Sequence, residues 1–333
     1  MEFNHLLLIL VPAIFAMGFI LNLLGAFFNP HKLLNKNAPL LLALTGCIAI
    51  ISQSVLILAQ QEQTIFHGAL GPIFNLPINK IENTATATIS IFFTYRIDKL
   101  SAFFLLVTGI VASAVVIYSF SWLEDKQGDR RIAGTLNLFL LFTWFVLIVN
   151  DGFFFIIALE CLSLIFGYLT LYKHNLLVAK GEPSNAEEIK QAKLAFKSYM
   201  IFNHIGIMLV LIGVLILSCR GDYSFNFDSY RISHNTSTQF NAFVFGLVFI
   251  GFGIKSALYP FHSWMALTHP YLPTNIHSMV SSVIIKVAGI YGLLRFIYEF
   301  LPREPWEGPI ILIVAACTAL IGVFNALISH DLK

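Results

Sequence analysis

Three charged residues interrupt long apolar stretches of the chain. Glu160 lies in "FFFIIALECLSLIFGYL", Lys255 in "VFIGFGIKSALYPFHSW" and Lys286 in "SMVSSVIIKVAGIYGLL". A charge at the centre of a bilayer costs about 2.5–3.5 kcal/mol on insertion scales, so charges there are rare and usually functional. These residue types in this setting predict a site that handles protons or small ions.

Glu160 and Lys286 each share a predicted helix face with small or polar residues, as their spacing along the sequence indicates. Small and polar residues lie three, seven and ten positions after Glu160, namely Ser163, Gly167 and Thr170. Two serines lie four and eight positions before Lys286, namely Ser282 and Ser278. Their hydroxyls would solvate an ammonium or hold water. The alternatives are a structural ion pair for Glu160 and a simple carboxylate partner for Lys286.

Lys255 precedes a predicted helix break at Pro260. Proline lacks the N–H and clashes with the preceding turn, so the helix must kink or stop there. Broken helices at membrane depth occur where they line a cavity or are buried in protein. The freed carbonyls and the half-helix end can then stabilise a charge or orient water. The alternative is that Lys255 reaches along the helix to the membrane interface.

The chemistry of a buried lysine beside a glutamate fits proton transfer. A solvated lysine, with a pKa near 10.4, keeps its proton at physiological pH. Burial favours loss of that proton and a nearby carboxylate opposes it. A pair of Glu160 and Lys255 that opens and closes would therefore act as a proton valve, which is a hypothesis at this stage.

Four histidines are candidates to relay protons between such groups, since histidine titrates closest to physiological pH. His204 falls within an apolar segment, and three more lie in or just after the break, namely His262, His269 and His277. Plain hydrogen bonding is the alternative role. The histidines form no H-x-x-H or H-x-x-x-H pair, and the four cysteines are far apart, so we predict no metal site and no cofactor.

The composition predicts a membrane protein that crosses the bilayer several times. Of 333 residues 57% are hydrophobic and 11% are charged, against about a quarter charged in soluble domains. The net charge of +2 gives no reason to expect a nucleic-acid partner. Segments of about 20 apolar residues predict nine spans: 5–28, 38–60, 99–121, 133–150, 152–172, 194–218, 240–267 (interrupted), 274–298 and 308–329.

The loops predict an orientation. With the N-terminus outside, the inner segments hold eleven Lys and Arg residues and the outer segments six, as the positive-inside rule requires. The outer loop 61–98 alternates Thr, Ile and Phe, which predicts a small β-hairpin. The polar loop 173–193 contains "PSNAEE", a helix start with Ser184 or Asn185 as the cap.

The residues around the break resemble a known family. "GFGIKSALYPFHSW" followed by "HPYLPTNIHSMVSSVIIKVAGIYGLLR" is similar to the signature of the proton-conducting, antiporter-like membrane subunits. These occur in NADH:quinone oxidoreductase, in membrane-bound hydrogenases and in multisubunit cation/proton antiporters. "RIDKLSAFF", "LECLSL" and "SHDLK" resemble further family motifs. Within the family the sequence looks most like hydrogenase-4 component B and formate hydrogenlyase subunit 3.

The resemblance implies a site and a domain organisation. In the family, a fifth-span glutamate, a seventh-span lysine and an eighth-span lysine or histidine form a half-channel, here Glu160, Lys255 and Lys286. It also implies one antiporter-like five-helix repeat within 122–300, after a three-helix segment 1–121. The ninth helix, 301–333, would begin a second repeat that this chain does not complete.

The implied function is proton translocation in a redox-driven complex of the bacterial inner membrane. The partners would be other membrane subunits, a soluble redox arm and a second polypeptide that supplies the missing repeat. The chain would carry no redox centre of its own, which leaves its status as an enzyme open. Two alternatives are a subunit of a cation/proton antiporter or proton-coupled inorganic-carbon transporter, and a non-conducting fragment of a split gene.

Overall fold

The structure, a computed structural model, describes residues 2–28, 37–60, 66–78, 87–124, 131–180, 186–220, 224–230 and 237–329. The strands are β1 (Phe66–Ile78) and β2 (Ala87–Ile97). The helices are α1 (Glu2–Phe28), α2 (Ala38–Leu58), α3 (Lys99–Glu124), α4 (Arg131–Ile148), α5 (Gly152–Lys180), α6 (Ala186–Arg220), α7 (Phe227–Tyr230), α8 (Thr238–Lys255), α9 (Ser263–Thr268), α10 (Thr274–Met279) and α11 (Glu307–Ile328).

Nine helical segments among the described residues are long and apolar enough to cross a membrane. They lie in α1 to α6, in α8, in Thr274–Phe300 and in α11. This confirms the predicted all-α membrane fold, with most boundaries within a few residues of those expected. The eighth span begins as α10 and continues in π-helical geometry through Val280–Tyr291 and Leu294–Phe300.

The predicted hairpin is present between the second and third spans. β1 and β2 pair antiparallel from Phe66 opposite Ile97 to Ile78 opposite Ala87, and residues 79–86 lie outside the described ones. β2 runs directly into α3, where the Asp98 carboxylate accepts the Ser101 N–H at 2.9 Å. This cap satisfies a backbone donor that the first turn of a helix would otherwise leave unpaired.

The predicted polar loop 173–193 is largely helical instead. α5 continues through Lys180 and α6 begins at Ala186. The segment is rich in Ala, Lys, Glu and Gln, which are good helix formers. The change from apolar to polar residues near 173 therefore indicates where the membrane span ends, and the helix continues beyond it. The proposed caps, Ser184 and Asn185, lie outside the described residues.

The break in the seventh span begins earlier than predicted. α8 ends at Lys255, five residues before Pro260, because Ala257 takes a left-handed backbone with φ of 53°. The Ser256 N–H still bonds to the Phe252 carbonyl at 2.8 Å, and the Leu258 N–H reaches back to Gly253 at 2.9 Å. Pro260 therefore lies in the connection to α9 and not at the helix end.

Two glycines let α6 and α8 approach each other closely. A Cβ on Gly251 would lie 2.8 Å from the carbonyl oxygen of Gly206 and 2.7 Å from a methyl of Val210. A Cβ on Gly206 would in turn lie 2.9 Å from the Gly251 carbonyl oxygen. Small residues at such contacts are how membrane helices pack backbone to backbone, and this one lies one turn before Lys255.

A Gly251→Val substitution tests whether this contact matters for stability. We expect a lower thermal unfolding midpoint in detergent, since the added methyls must push α6 away at a cost of about 1–3 kcal/mol. The matched control is Gly246→Val on the same helix, where a Cβ meets nothing within 4 Å. Equal midpoints for the two variants would contradict the packing argument.

Candidate functional site

The Lys255 ammonium is buried between α5, α6 and α8. The residue is 3% exposed, and its Nζ donates to Ser163 Oγ at 3.0 Å and to Asn203 Oδ1 at 3.5 Å. Lys255 therefore does not reach the membrane interface, as the alternative would require. It points from the last turn of α8 into the bundle.

Both partners are oriented to accept from the lysine. The Ser163 hydroxyl donates to the Leu159 carbonyl at 2.9 Å, and the Asn203 amide nitrogen donates to the Tyr199 carbonyl at 3.3 Å. Their own donors are thus committed to the helix backbone, which leaves oxygen lone pairs facing Lys255. Two neutral acceptors favour the charged ammonium without neutralising it.

A small cavity adjoins the lysine. Its volume is about 20 Å³, which is enough for roughly one water molecule. The described lining residues include the three hydrogen-bonded groups and a closing layer of aromatic and apolar side chains, namely Phe166, Tyr199, Trp264, Ile285 and Ala288. The Trp264 indole donates to the Ile254 carbonyl at 2.9 Å, so it satisfies one carbonyl freed by the end of α8.

Glu160 lies one turn before Ser163, but its carboxylate contacts His204 and not Lys255. Glu160 Oε1 is 3.0 Å from His204 Nδ1, and the two side chains are 32% and 44% exposed. The other carboxylate oxygen, Oε2, is buried and has no hydrogen-bond partner. Glu160 is near enough to act on Lys255 electrostatically. The hypothesised direct pair of Glu160 and Lys255 is thus absent in this conformation.

Lys286 faces away from the cavity. It is exposed, and its Nζ donates to the Ser281 carbonyl at 3.3 Å, while Ser282 donates to the Ser278 carbonyl. Its neighbours Ile285 and Ala288 line the cavity instead. Ser278, Ser282 and Lys286 are all exposed, so the predicted lysine–serine face lies on the surface of the span and not against the cavity.

The other histidines lie on the far side of the break. His277 Nε2 and His269 Nδ1 are 3.0 Å apart, and His269 Nε2 is buried without a partner. Burial, then the neighbouring His277 and Lys286, lowers the pKa of His269 to about 4. His262 lies against the Tyr259 ring, with ring centroids 5.8 Å apart. The structure thus joins His204 to Glu160 and His269 to His277.

An ionic network that we did not predict joins the hairpin, α3 and the eighth span. The Arg295 guanidinium contacts both oxygens of Asp98 and donates to Glu299 Oε2 at 2.7 Å and to Ser101 Oγ at 2.7 Å. Arg96 contacts Glu299 and donates to Asp228 Oδ1 at 3.2 Å. Both arginines are 3% exposed.

The charge balance of this network fixes Asp98 in its ionised form. Burial alone would raise the pKa of Asp98, but the hydrogen bonds and charge of Arg295, the Ser101 N–H and Arg96 lower it to about 2. Bidentate arginine–carboxylate bonds are among the strongest in proteins. The network therefore holds the end of β2, the start of α3 and the end of the eighth span together at physiological pH.

Comparison with known families agrees with this architecture. Residues 184–333 match the family described as "NADH:quinone oxidoreductase/Mrp antiporter, TM", and residues 84–132 match "NADH-Ubiquinone oxidoreductase (complex I), chain 5 N-terminus". The two ranges together cover more than half of the chain. The chain belongs to the antiporter-like membrane subunit family. It is accordingly a multi-pass membrane protein.

Individual relatives of the antiporter-like subunit come from both hydrogenase and respiratory complexes. It is 29% identical over 245 residues to hydrogenase-4 component B of Escherichia coli, covering 72% of this chain and 34% of the relative. It is 27% identical over 245 residues to NADH-quinone oxidoreductase subunit L of Campylobacter jejuni, covering 72% and 38%. The chain thus spans little more than a third of the length of these relatives.

A solved structure supports the fold of the antiporter-like subunit over its full length. A chain of the Mrp complex from Dietzia sp. superposes with a TM-score of 0.74 at 19% identity, covering 99% of this chain and 55% of that one. At this identity the likeness concerns the fold.

Sequence reasoning missed Asn203 and the arginine network in this antiporter-like subunit. Asn203 directly precedes His204 in the apolar run "MIFNHIGI", and two adjacent polar residues at mid-span were the available signal. Arg96 and Asp98 were noted only as part of a motif. Their partners Arg295 and Glu299 lie about 200 residues away, so no local pattern connects them.

Arg295→Met tests the contribution of the network. Removing the guanidinium leaves Arg96 as the one arginine in contact with both Asp98 and Glu299 among the described residues. Breaking a buried ion pair in this way costs about 3–5 kcal/mol. We expect a clearly lower unfolding midpoint in detergent. Arg303→Met is the control, because Arg303 is exposed and only stacks on the Tyr298 ring at 5.9 Å. An unchanged midpoint for Arg295→Met would show that the network carries no stability.

The low pKa of His269 predicts a pH dependence of stability. The unfolded chain binds a proton on His269 below about pH 6.5, whereas the folded chain binds it only near pH 4. Stability should therefore fall as the pH drops from 6.5 towards 4. Unfolding midpoints measured between pH 7 and pH 5 should fall less steeply in His269→Gln than in the wild type. Parallel curves would contradict this account.

Proposed function

We propose that this chain conducts protons through the Glu160–Lys255 half-channel as a membrane subunit of a redox-driven complex. The observation that carries the proposal is the Lys255 ammonium, which is buried beside a one-water cavity with two neutral acceptors. Such a lysine gains or loses a proton according to the charge near it. No redox step is assigned to the chain itself.

The proposed cycle depends on where the Glu160 carboxylate points. When it pairs with His204, as in this structure, Lys255 is held by neutral groups and its proton is easier to release. When the carboxylate turns towards Ser163, the neutral Lys255 amine takes up a proton from the cavity water, and the carboxylate stabilises the resulting ammonium. A proton moves when the carboxylate changes partner, and the cavity water carries it. His269, His277 and Lys286 would continue the path beyond the break, and His262 lies beside it.

The surface of the bundle supports partner membrane subunits. Glu160 and His204 are each about one-third or more exposed near the middle of their spans, where lipid solvates them poorly. The apolar window of α11 contains no buried residue in the structure as described. The relatives named above belong to multisubunit complexes, and we propose that neighbouring subunits cover these two surfaces and that a soluble redox arm supplies the energy.

The proposed organisation follows from the same reasoning. Residues 122–300 would form one proton-channel repeat, 1–121 a supporting segment, and 301–333 the beginning of a second repeat supplied by further polypeptide. We place the chain in a bacterial inner membrane with the N-terminus outside, on the distribution of Lys and Arg between the loops.

Cation/proton antiport is the second candidate function. The description of the family that matches residues 184–333 favours it, since it names the Mrp antiporter beside NADH:quinone oxidoreductase. The two functions differ in what drives the proton. In an antiporter, a sodium or potassium gradient would move protons without any redox substrate. In a redox-driven complex, such a gradient alone would move no protons.

Lys255→Met tests the proposal in inverted membrane vesicles that contain the whole complex. We expect proton uptake, followed by a pH-sensitive dye, to fall at least tenfold, while electron transfer to an artificial acceptor continues. Methionine keeps the volume of the lysine stem and removes the proton-binding group, so the fold should be kept. Lys193→Met is the control, because Lys193 is an exposed lysine on α6.

Three results are informative in that experiment. Normal proton uptake in Lys255→Met would refute the half-channel. A sodium gradient could also drive proton uptake in the wild type without redox substrate. If it does, and if Lys255→Met loses that uptake, the chain works by antiport and not by redox-driven pumping. Loss of uptake in the Lys193→Met control as well would show a general leak and would remove support from the proposal.

A further inference from the structure

A second cavity, separate from the proposed proton path, opens on the surface of the bundle. It lies between α1, α4 and α5 and has a volume of about 580 Å³, within the range of about 300–1,000 Å³ typical of ligand pockets. It shares no described lining residue with the cavity beside Lys255. We call it the α1–α4–α5 groove.

The lining of the α1–α4–α5 groove changes from polar to apolar with depth. At its mouth, where α4 begins and the α1 and α5 spans end, it is lined by Arg131, Thr135, Asn22 and Tyr168, together with Leu23. Seven residues further along α4, about 10 Å deeper into the span, the walls are Leu138, Phe19, Leu164 and Ile165. One end is thus suited to a polar head and the other to a hydrocarbon chain.

The mouth of the groove also favours an anion. Arg131 is exposed and is the one charged residue among the described lining residues. It is the first residue of α4, so the positive end of the helix dipole lies beside it. Tyr168 lies near the end of its span, the depth at which tyrosine is enriched at membrane interfaces.

We infer that the groove binds one anionic phospholipid, with its phosphate at Arg131 and an acyl chain along Leu138 and Leu164. The depth gradient argues for a lipid, because a soluble phosphate compound would have no use for apolar walls. Leu164 is 51% exposed and would pack against the acyl chain. Basic pockets between spans at one membrane face are a recognised mode of binding anionic headgroups.

Photo-crosslinking tests the occupant directly. The full chain, with the subunits that co-purify with it, is placed in phosphatidylethanolamine vesicles doped with photoactivatable phosphatidylglycerol or photoactivatable phosphatidylethanolamine. We expect crosslinks to map by peptide mass spectrometry to 19–23 and 164–168, at least fivefold more with phosphatidylglycerol. Excess inorganic phosphate should leave the yield unchanged, because the acyl chain contributes to binding.

Two variants with one control make the result specific. Arg131→Gln should reduce phosphatidylglycerol crosslinking at least fivefold, to the phosphatidylethanolamine level. Leu164→Trp, on an exposed position, should fill the groove and reduce crosslinks to 19–23 without disturbing the fold. Lys197→Gln removes an exposed charge from α6, near the same end of the bundle, and should change nothing.

Four outcomes would overturn the inference. These are equal crosslinking of the two lipids, full crosslinking in Arg131→Gln, displacement by inorganic phosphate, and recovery of a partner subunit's peptides or no lipid at 19–23 and 164–168. The first would show ordinary boundary lipid, the third a free-phosphate site, and the last a groove filled by protein. None of these outcomes bears on proton conduction, so the two proposals are tested separately.

Discussion

The desolvation of one ammonium group constrains much of this structure. Removing a charge from water costs several kcal/mol, which must be recovered from hydrogen bonds within the bundle. Lys255 recovers it from Ser163 on α5 and Asn203 on α6. Asn203 lies within reach of Lys255 because Gly206 and Gly251 bring the backbones of α6 and α8 into contact. The end of α8 at Lys255 leaves carbonyls that the connection and Trp264 then satisfy.

The arginine network and the candidate site differ in how well their polar groups are hydrogen-bonded. Where β2 meets α3, Arg96 and Arg295 contact the carboxylates of Asp98, Asp228 and Glu299, and Arg295 also donates to Ser101 and Tyr291. Around the break, the described residues with a buried polar atom that lacks a partner include Glu160 (Oε2), Ser256 (Oγ), His262 (Nδ1) and His269 (Nε2). Buried unpaired groups are costly and need an explanation. Their grouping along the path proposed for protons is consistent with groups that change partners or bind water.

The sequence predicted the elements well because their causes are local. Apolar runs of about 20 residues predicted the spans, and the alternation of Thr with Ile and Phe predicted the hairpin. Both predictions were confirmed. The contacts of the site were predicted less well, because spacing along one helix indicates which residues share a face but not what that face contacts. Lys286 illustrates this, since it lies with Ser278 and Ser282 on an exposed face, while Ile285 and Ala288 line the cavity beside Lys255. The Arg295–Asp98 bond joins positions 197 residues apart, and one sequence carries no signal for such pairing.

The position of Glu160 links conduction to assembly. Its carboxylate has one oxygen at the bundle surface with His204 and one buried without a partner, a turn away from the Ser163 that holds Lys255. Any neighbour that covers this surface lowers the local dielectric and strengthens the attraction between Glu160 and Lys255. A charge that such a neighbour brings near His204 would shift the carboxylate towards or away from the lysine. The same pair would then sense the state of the partner and set the proton affinity of Lys255, without a conformational change larger than one side-chain rotation.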